Sequence, residues 1–545
     1  MLFLLLFSLF DCSTSLFPGA QPEEGDVRHL YPRATIVVRV AGGSPSGALP
    51  YLLGWLENVD YPKERLDVDV YIGAAAREDT SKEQLQWWRR LTASIFHSLT
   101  LVDEADALDA RQSWQEHAIT KARQRQSSFL LYWTADTLPA DLRLLTRLFV
   151  KAAPVVSSLR VSPAYDGGPW NVDEDTVVDE AQLAIDAGAE MLPIDHVVYP
   201  LLVNLDSSDS AYLTFDSGNV RGFEGEGASP DAVLAFSAAS MTIPLLLDRR
   251  HHVGWHIGGA ASAREGRRMV RYLMASLIPD PMPSFESRSV RAPTATPSRH
   301  GFDRIYVINL KRRPERRATM EMVCAQLGLD CQFFDASDGQ NLEGEPAIRQ
   351  LEGYRDPSSG RPITNGEVGC FLSHYRIWQE VASLSLSRVV VLEDDARLVF
   401  PGLEMVEETM EDVERDGLEW GLVYLGRKRL ANQNYRELWV PNIRHLSTVG
   451  YSYWTVGYAL SLDGAKTLLA GKPLEKLVPV DEYLPIMGDV HPNREWSAAY
   501  EPRSVRLFTV HPLVVHPQRY TNQAGHVSDT ESSTLYAVHR TKDEL

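Results

Sequence analysis

Three carboxylates in a row, Glu393, Asp394 and Asp395, follow directly on the apolar run Val389-Val390-Val391-Leu392. Carboxylate oxygens grouped this closely suit a hard divalent cation, and an ion so held can grip a diphosphate. If the chain stays extended through the acidic step, Glu393 and Asp395 point to the same side. The competing reading is a solvated acidic turn that caps the next helix. A second group is basic: Lys311-Arg312-Arg313, then Pro314, Arg316 and Arg317. Pro314 marks a first helical turn. Arginines there oppose the helix dipole unless an anion offsets them, which makes Arg312, Arg313 and Arg316 candidate phosphate ligands. A third group is Asp481-Glu482 within Val478–Leu484, V-P-V-D-E-Y-L. A carboxylate among apolar neighbours has its pKa pushed up, which suits a general base; a helix N-cap pair is the alternative.

The elements that must position these groups follow an α/β pattern. Val389–Leu392 reads as a buried central strand, and ligands of open α/β sheets bind just beyond the carboxyl ends of strands. Asp303–Leu310 reads as a second strand, leading into the basic segment. Thr364-Asn365-Gly366-Glu367 matches a capping box. It opens a helix through Cys370, Phe371, His374, Ile377, Trp378 and Val381, in which His374 reads by default as a packed histidine. Tyr451-Ser452-Tyr453-Trp454-Thr455 offers aromatic faces suited to sugar rings, with core packing as the default. In the first half, strands at Thr35–Val40, Leu66–Ile72, Leu99–Val102 and Phe129–Trp133 alternate with helices at Ser46–Val59, Ser81–Phe96 and Gln112–Gln126. That order predicts βαβ units and a mostly parallel sheet. Leu66–Ile72 alternates apolar and acidic residues, as a strand with one covered face would.

A chain of 545 residues is too long for one ordinary core. Its hydrophobic content of 44% and formal charge of −19 fit a soluble globular protein and exclude the basic footprint of a nucleic-acid binder. Met1–Phe10 is an apolar h-region too short to span a bilayer, and Ser13-Thr14-Ser15 offers small residues for cleavage, so 1–20 reads as a signal peptide. Lys542-Asp543-Glu544-Leu545 is the K-D-E-L retention signal, read by the KDEL receptor. Together they predict the endoplasmic reticulum lumen, with no stable membrane insertion. Of four cysteines, Cys12 leaves with the signal peptide, and Cys324, Cys331 and Cys370 remain. One disulfide and one free thiol fit that count, with the pairing open. No N-x-S/T sequon is present.

Several stretches taken together resemble glycosyltransferase family 25, and within it the procollagen galactosyltransferases (collagen β-galactosyltransferases) of the endoplasmic reticulum. They are G-F-D-R-I-Y-V-I-N-L-K-R-R-P-E-R-R (301–317), the 351–378 segment ending T-N-G-E-V-G-C-F-L-S-H-Y-R-I-W, L-E-D-D-A-R (392–397), V-Y-L-G-R-K-R (423–429), Y-S-Y-W-T (451–455), L-V-P-V-D-E-Y-L-P-I-M (477–487) and H-V-S-D-T-E-S (526–532). The resemblance implies an α/β fold of two tandem GT-A-like (Rossmann-like) domains. It implies a metal-dependent, inverting transfer of galactose from UDP-galactose to hydroxylysine of an unfolded collagen-type polypeptide. The cation implied is Mn²⁺ or another divalent ion. The expected organisation is a signal peptide (1–20), an N-terminal GT-A-like domain (33–278), a Pro/Ser/Arg-rich linker (279–300), a C-terminal catalytic domain (301–520) and a tail ending in K-D-E-L (521–545). The oligomeric state is left open. The site assignment is metal at Glu393, Asp394 and Asp395, nucleotide sugar at Arg312, Arg313 and Arg316, and the base at Asp481 or Glu482.

Two positions depart from the family pattern. Where its first domain carries Asp-Ala-Asp, this chain has Thr134-Ala135-Asp136, and a neutral hydroxyl is a poor substitute for a carboxylate on a divalent ion. The first domain is therefore expected to be degenerate. Where the family has His before Tyr520, this chain has Arg519, with His516 nearby. These departures support an alternative: a non-catalytic glycosyltransferase-like protein that binds collagen-like chains or acts in adhesion.

Overall fold

The computed structural model describes residues 28–519, apart from 42–46, 74–80, 110–111, 152, 163–170, 173–190, 226, 258–261, 280–285 and 431–435, and then 527, 528 and 530. The signal-peptide and K-D-E-L expectations lie outside the described residues. The chain divides into two compact units. The first takes the described residues of Met1–Ala164, Pro169–Val270 and Pro281–Pro293; the second is built mainly from Arg271–Asp280 and Thr294–Leu545. Each is an α/β unit around one large sheet. Among the described residues no helix is long and apolar enough to cross a membrane.

In the first unit, β1 (Ala34–Val40), β2 (Leu66–Ile72), β3 (Ser98–Asp103) and β4 (Phe129–Thr134) form a parallel run in the order β3-β2-β1-β4. Helices α1 (Leu49–Asn58), α2 (Ser81–Thr92) and α3 (Trp114–Gln124) alternate with these strands. Strands beyond β4 complete a mixed sheet. Successive side chains of β4 enter opposite cores, Trp133 with its ring 5.0 Å from that of Trp55 and Tyr132 with its ring 5.6 Å from that of Trp114. The expectation of one wet face on β2 is corrected: all seven residues are buried. Asp67 is neutralised by Arg33 at 2.8 Å, and Asp69 by Arg125 at 2.8 Å and Lys121 at 3.1 Å. Buried carboxylates persist only with such partners.

In the second unit, β5 (Arg304–Asn309), β6 (Cys331–Asp335), β7 (Arg388–Glu393), β9 (Leu422–Arg429), β10 (Leu446–Thr448), β11 (Ser452–Ser461) and β12 (Leu507–Val510) form one sheet in the order β6-β5-β7-β11-β9-β12-β10. The first three run parallel, and β11 is antiparallel to β7. Val389 and Val391 enter one core and Val390 and Leu392 the other, which is why the run is apolar without alternation. Helix α4 (Pro314–Leu327) follows β5, and α5 (Asn365–Leu384) precedes β7. The predicted capping box is present, with the Thr364 hydroxyl and Glu367 carboxylate each accepting the other's backbone N–H. After the acidic step comes the short strand β8 (Ala396–Leu398), paired with β13 (Val515–Pro517); helix α6 begins only at Gly402 and ends at Asp416. The acidic triplet thus ends β7 with Glu393 and turns at Asp394 and Asp395 into β8, and it does not cap a helix. The disulfide joins Cys324 to Cys331, and Cys370 is a free thiol.

Candidate active site

The carboxyl ends of β5 and β7 are in register, Ile308 opposite Glu393, so the basic and acidic segments leave the sheet side by side. Between them lies an open cleft, lined among others by Arg312, Arg316, His374, Glu393, Asp394 and Asp395. The loop after β6 closes against the start of α5. A Cβ on Gly339 would stand 2.2 Å from the Asn365 carbonyl oxygen and one on Gly369 2.7 Å from that of Ser337, so no larger residue fits either position without displacing backbone. Val527 and Ser528 also line the cleft, and the Val527 carbonyl accepts from Arg316 at 2.6 Å.

The three acidic residues have different partners. Glu393 Oε1 accepts the Thr455 hydroxyl at 2.5 Å and lies 3.6 Å from His374 Nε2. Burial pushes Glu393 up, but His374, Thr455 and Arg316 outweigh it and hold the carboxyl below its ordinary value. Asp394, 7% exposed, accepts from Asn309 at 2.7 Å and from Arg316 at 3.0 Å. Burial nevertheless holds its pKa above the ordinary value, offset only in part by those two partners. Asp395 is pushed up to about 7 by loss of water and the charge of Glu393, against the opposing pull of Arg316. Its carbonyl accepts the Gln518 N–H at 2.8 Å, which ties the acidic turn to β13 and brings buried His516 opposite Arg397. Two of the three arginines reach the cleft. Arg312 pairs with Asp338 at 2.9 Å and Arg316 with Asp394, whereas Arg313 lies 3.6 Å from Glu315 and does not line the cleft.

Helix α7 (Leu462–Ala470) follows β11, and α8 (Val480–Met487) carries the other acidic pair. Glu482, 3% exposed, accepts from Tyr451 at 2.7 Å, Tyr453 at 2.9 Å and His491 Nε2 at 2.7 Å. His491 Nδ1 accepts the Asn493 N–H, so its proton sits on Nε2, facing Glu482. Glu482 is therefore a saturated acceptor that ties α8 to the aromatic segment. Asp481 has a buried Oδ1 without a hydrogen-bond partner. Burial, then the charges of Glu393 and Glu482, push it up to about 8, while the Trp454 backbone N–H opposes the shift. Trp454 holds that position with φ +78°, a left-handed conformation that costs a side-chain-bearing residue about 1–3 kcal/mol and that clusters at functional sites.

Sequence reasoning passed over Thr455, Asn309 and the cleft face of α5. Cys370 and His374 are spaced i, i+4 there, the one local signal that both share a face. His374 is packed, as read, with Nδ1 2.9 Å from the Tyr458 hydroxyl, but its Nε2 has no hydrogen-bond partner. In the first unit the Thr134 and Thr137 hydroxyls both donate to Asp136 Oδ1.

Both halves match family models: "Glycosyltransferase family 25, N-terminal domain" over residues 32–263 and "Glycosyltransferase family 25 (LPS biosynthesis protein)" over residues 302–484. A glycosyltransferase 25 family member of Drosophila pseudoobscura pseudoobscura is 32% identical across 98% of this chain and 91% of its own length. Procollagen galactosyltransferase 2 of Mus musculus is 30% identical across 98% and 91%. Inactive glycosyltransferase 25 family member 3 of Mus musculus is 31% identical across 92% and 88%. A solved mannosyltransferase of Pyrobaculum calidifontis, in complex with GDP-Man and Mn²⁺, aligns at TM-score 0.30 and 15% identity over 51% of this chain and 68% of that one. The chain belongs to glycosyltransferase family 25.

Proposed function

We propose that the chain transfers galactose from UDP-galactose to hydroxylysine of collagen-type polypeptides, with inversion, using the cleft of the second unit. One observation carries this reading: two arginines and the Glu393–Asp395 carboxylates face a single cleft at the strand ends; a high-pKa aspartate, Asp481, stands outside that lining but close enough to feel the Glu393 charge. Relatives named procollagen galactosyltransferase 2 support galactose as the sugar and a collagen-type chain as the acceptor. The compartment we propose is the endoplasmic reticulum lumen, on the motifs at Met1–Phe10 and Lys542–Leu545.

The donor set fits a hard divalent cation. Glu393 and Asp395 present carboxylate oxygens to one cleft, and burial, then the charge of Glu393, leaves Asp395 holding its proton to about 7, a cost that a bound cation relieves. When bound, Mn²⁺ supplies positive charge to the departing diphosphate. Arg312 and Arg316 bind the phosphate oxygens, and Asp394 keeps Arg316 aimed at them. Asp481 removes the proton from the acceptor hydroxyl as that oxygen attacks the anomeric carbon. Glu482 takes no proton; it holds α8 in place.

The test is transfer of labelled galactose by the full chain to a hydroxylysine peptide, with Mn²⁺ and with chelator. Metal-dependent transfer is expected. Absence of both transfer and donor hydrolysis at saturating Mn²⁺ would favour the non-catalytic alternative, the condition in the names of two relatives.

A further inference from the structure

Cys370 and His374 stand one turn apart on α5 and face the end of β7. A Cys370 sulfur, a His374 ring nitrogen and a Glu393 carboxylate oxygen all lie within 4.8 Å of one another. His374 is 1% exposed, and its Nε2 has no hydrogen-bond partner. A buried nitrogen left this way costs about 1–3 kcal/mol, so its retention calls for an explanation. The other ring nitrogen is held: Nδ1 sits 2.9 Å from the Tyr458 hydroxyl, which also accepts from Trp378 Nε1 at 3.1 Å. Trp378 donates to the Tyr458 oxygen and the Tyr458 proton can go to Nδ1, so Nε2 is the ring atom that faces Glu393 and the sulfur, where an ion would take the place of its proton. Fixing one nitrogen to present the other is what surrounding groups do for a metal-ligating histidine.

We propose that Cys370, His374 and Glu393 form a binding site for a Zn²⁺-type ion, with its fourth position open to the cleft. Thiolate, imidazole and carboxylate are the donors such an ion takes, whereas Mg²⁺ takes oxygen alone. Zinc bonds of about 2.0–2.3 Å place tetrahedral ligands roughly 3.3–3.8 Å apart. The 3.6 Å between His374 Nε2 and Glu393 Oε1 already lies in that range. Cys370 and His374 both line the cleft, which gives a hydrated ion a path in. On binding, the Cys370 thiol loses its proton to solvent and the sulfur takes the ion as thiolate. The site does not rest on the transferase reading. An ion there would, however, claim the same Glu393 that we propose for the hard cation, so the two ions would compete.

The test uses the full chain and Zn²⁺ alone. The rate of Cys370 alkylation by iodoacetamide, read by mass spectrometry of its peptide, should fall roughly tenfold at about ten times the Kd for Zn²⁺. Mg²⁺ should give no protection. His374→Gln should abolish the protection with the thermal midpoint retained. Co²⁺ in place of Zn²⁺ should give a sulfur-to-metal charge-transfer band that Cys370→Ser removes. An alkylation rate indifferent to Zn²⁺, equal protection by Mg²⁺, or a charge-transfer band that survives Cys370→Ser would each overturn the site. The alkylation measurement needs no variant, so it decides the question even if a substitution fails to fold.

Discussion

Arg316 reaches from the first turn of α4 to Asp394 at the end of β7, 3.0 Å between Nη1 and Oδ1, and so ties the basic segment to the acidic one. Asp394 thereby differs from its neighbours, because its oxygens are taken by Arg316 and Asn309. Arg316→Ala should weaken UDP binding by about 10–100-fold, since charge-assisted hydrogen bonds contribute about 1.5–3 kcal/mol and each 1.4 kcal/mol is tenfold. Calorimetric titration of UDP checks this, and an unchanged Kd would remove Arg316 from the donor site.

Asp395 carries the opposite signature. Its folded pKa of about 7 lies above the ordinary carboxylate value near ~3.9, so the folded state holds a proton that the unfolded chain has released between those values. Stability contributed by this group is therefore full at low pH and is lost as pH rises through about 7. Without metal, Asp395→Asn should melt no lower than wild type at pH 8 while losing metal-dependent turnover. Glu393→Gln should also lose turnover. Melting curves at pH 5 and pH 8, with and without Mn²⁺, are the measurement. Full turnover by Asp395→Asn at saturating Mn²⁺ would take the metal away from this turn.

How far these relationships could be read in advance depends on how local their causes are. The β7 run was legible because a strand buried on both faces needs an unbroken apolar sequence, and the Thr364–Glu367 cap because its hydrogen bonds span three residues. The α/β class followed from the alternation of such signals. Asp67 and Asp69 misled because the ions that bury them come from positions 33, 121 and 125. Likewise, nothing near Glu482 in sequence announces that Tyr451, Tyr453 and His491 saturate it and leave Asp481 as the candidate base. The pairing of Cys324 with Cys331 was undecidable from three cysteines, and the approach of Cys370 and His374 to Glu393 arises only when α5 packs against the sheet.

The two acidic residues of α8 should separate cleanly under mutation. Asp481→Asn should lower kcat about 10²–10⁴-fold while changing UDP-galactose binding little, because the base acts on the acceptor proton. The base must be ionised, so the wild-type rate, read with Mn²⁺ bound, should rise with pH through a limb set by Asp481, whose value without metal is about 8. A bound cation draws that midpoint down. Glu482→Gln should instead cost about 1.5–3 kcal/mol of stability, since it disturbs hydrogen bonds to a buried charge. If Glu482→Gln keeps the wild-type melting temperature and loses kcat while Asp481→Asn keeps it, the roles are reversed.

The first unit should contribute little to turnover. At the end of β4, the position matching the acidic step of the second unit, the chain offers Thr134 and Asp136. Asp136 Oδ1 already accepts the hydroxyls of Thr134 and Thr137, so half of its acceptor capacity is spent inside its own turn. A Mn²⁺-type ion needs several hard oxygens, and the donor's phosphates supply only part of the set. One half-occupied carboxylate leaves too few, and the sequence that follows β1, Ala41-Gly42-Gly43-Ser44, carries no arginine to match the basic segment that follows β5. Asp136→Asn should therefore keep most activity, within a few-fold of wild type, under conditions where Asp395→Asn loses it. Removing the charge should also shift the melting temperature little, since the two hydroxyl hydrogen bonds contribute about 0.5–1.5 kcal/mol each and His256 Nδ1 stands 4.0 Å from Oδ2. Mn²⁺-dependent UDP binding and turnover measured side by side in the two variants give the answer. Equal loss in both would mean that the two turns act together on one reaction, and that the Thr134 substitution left the first site competent.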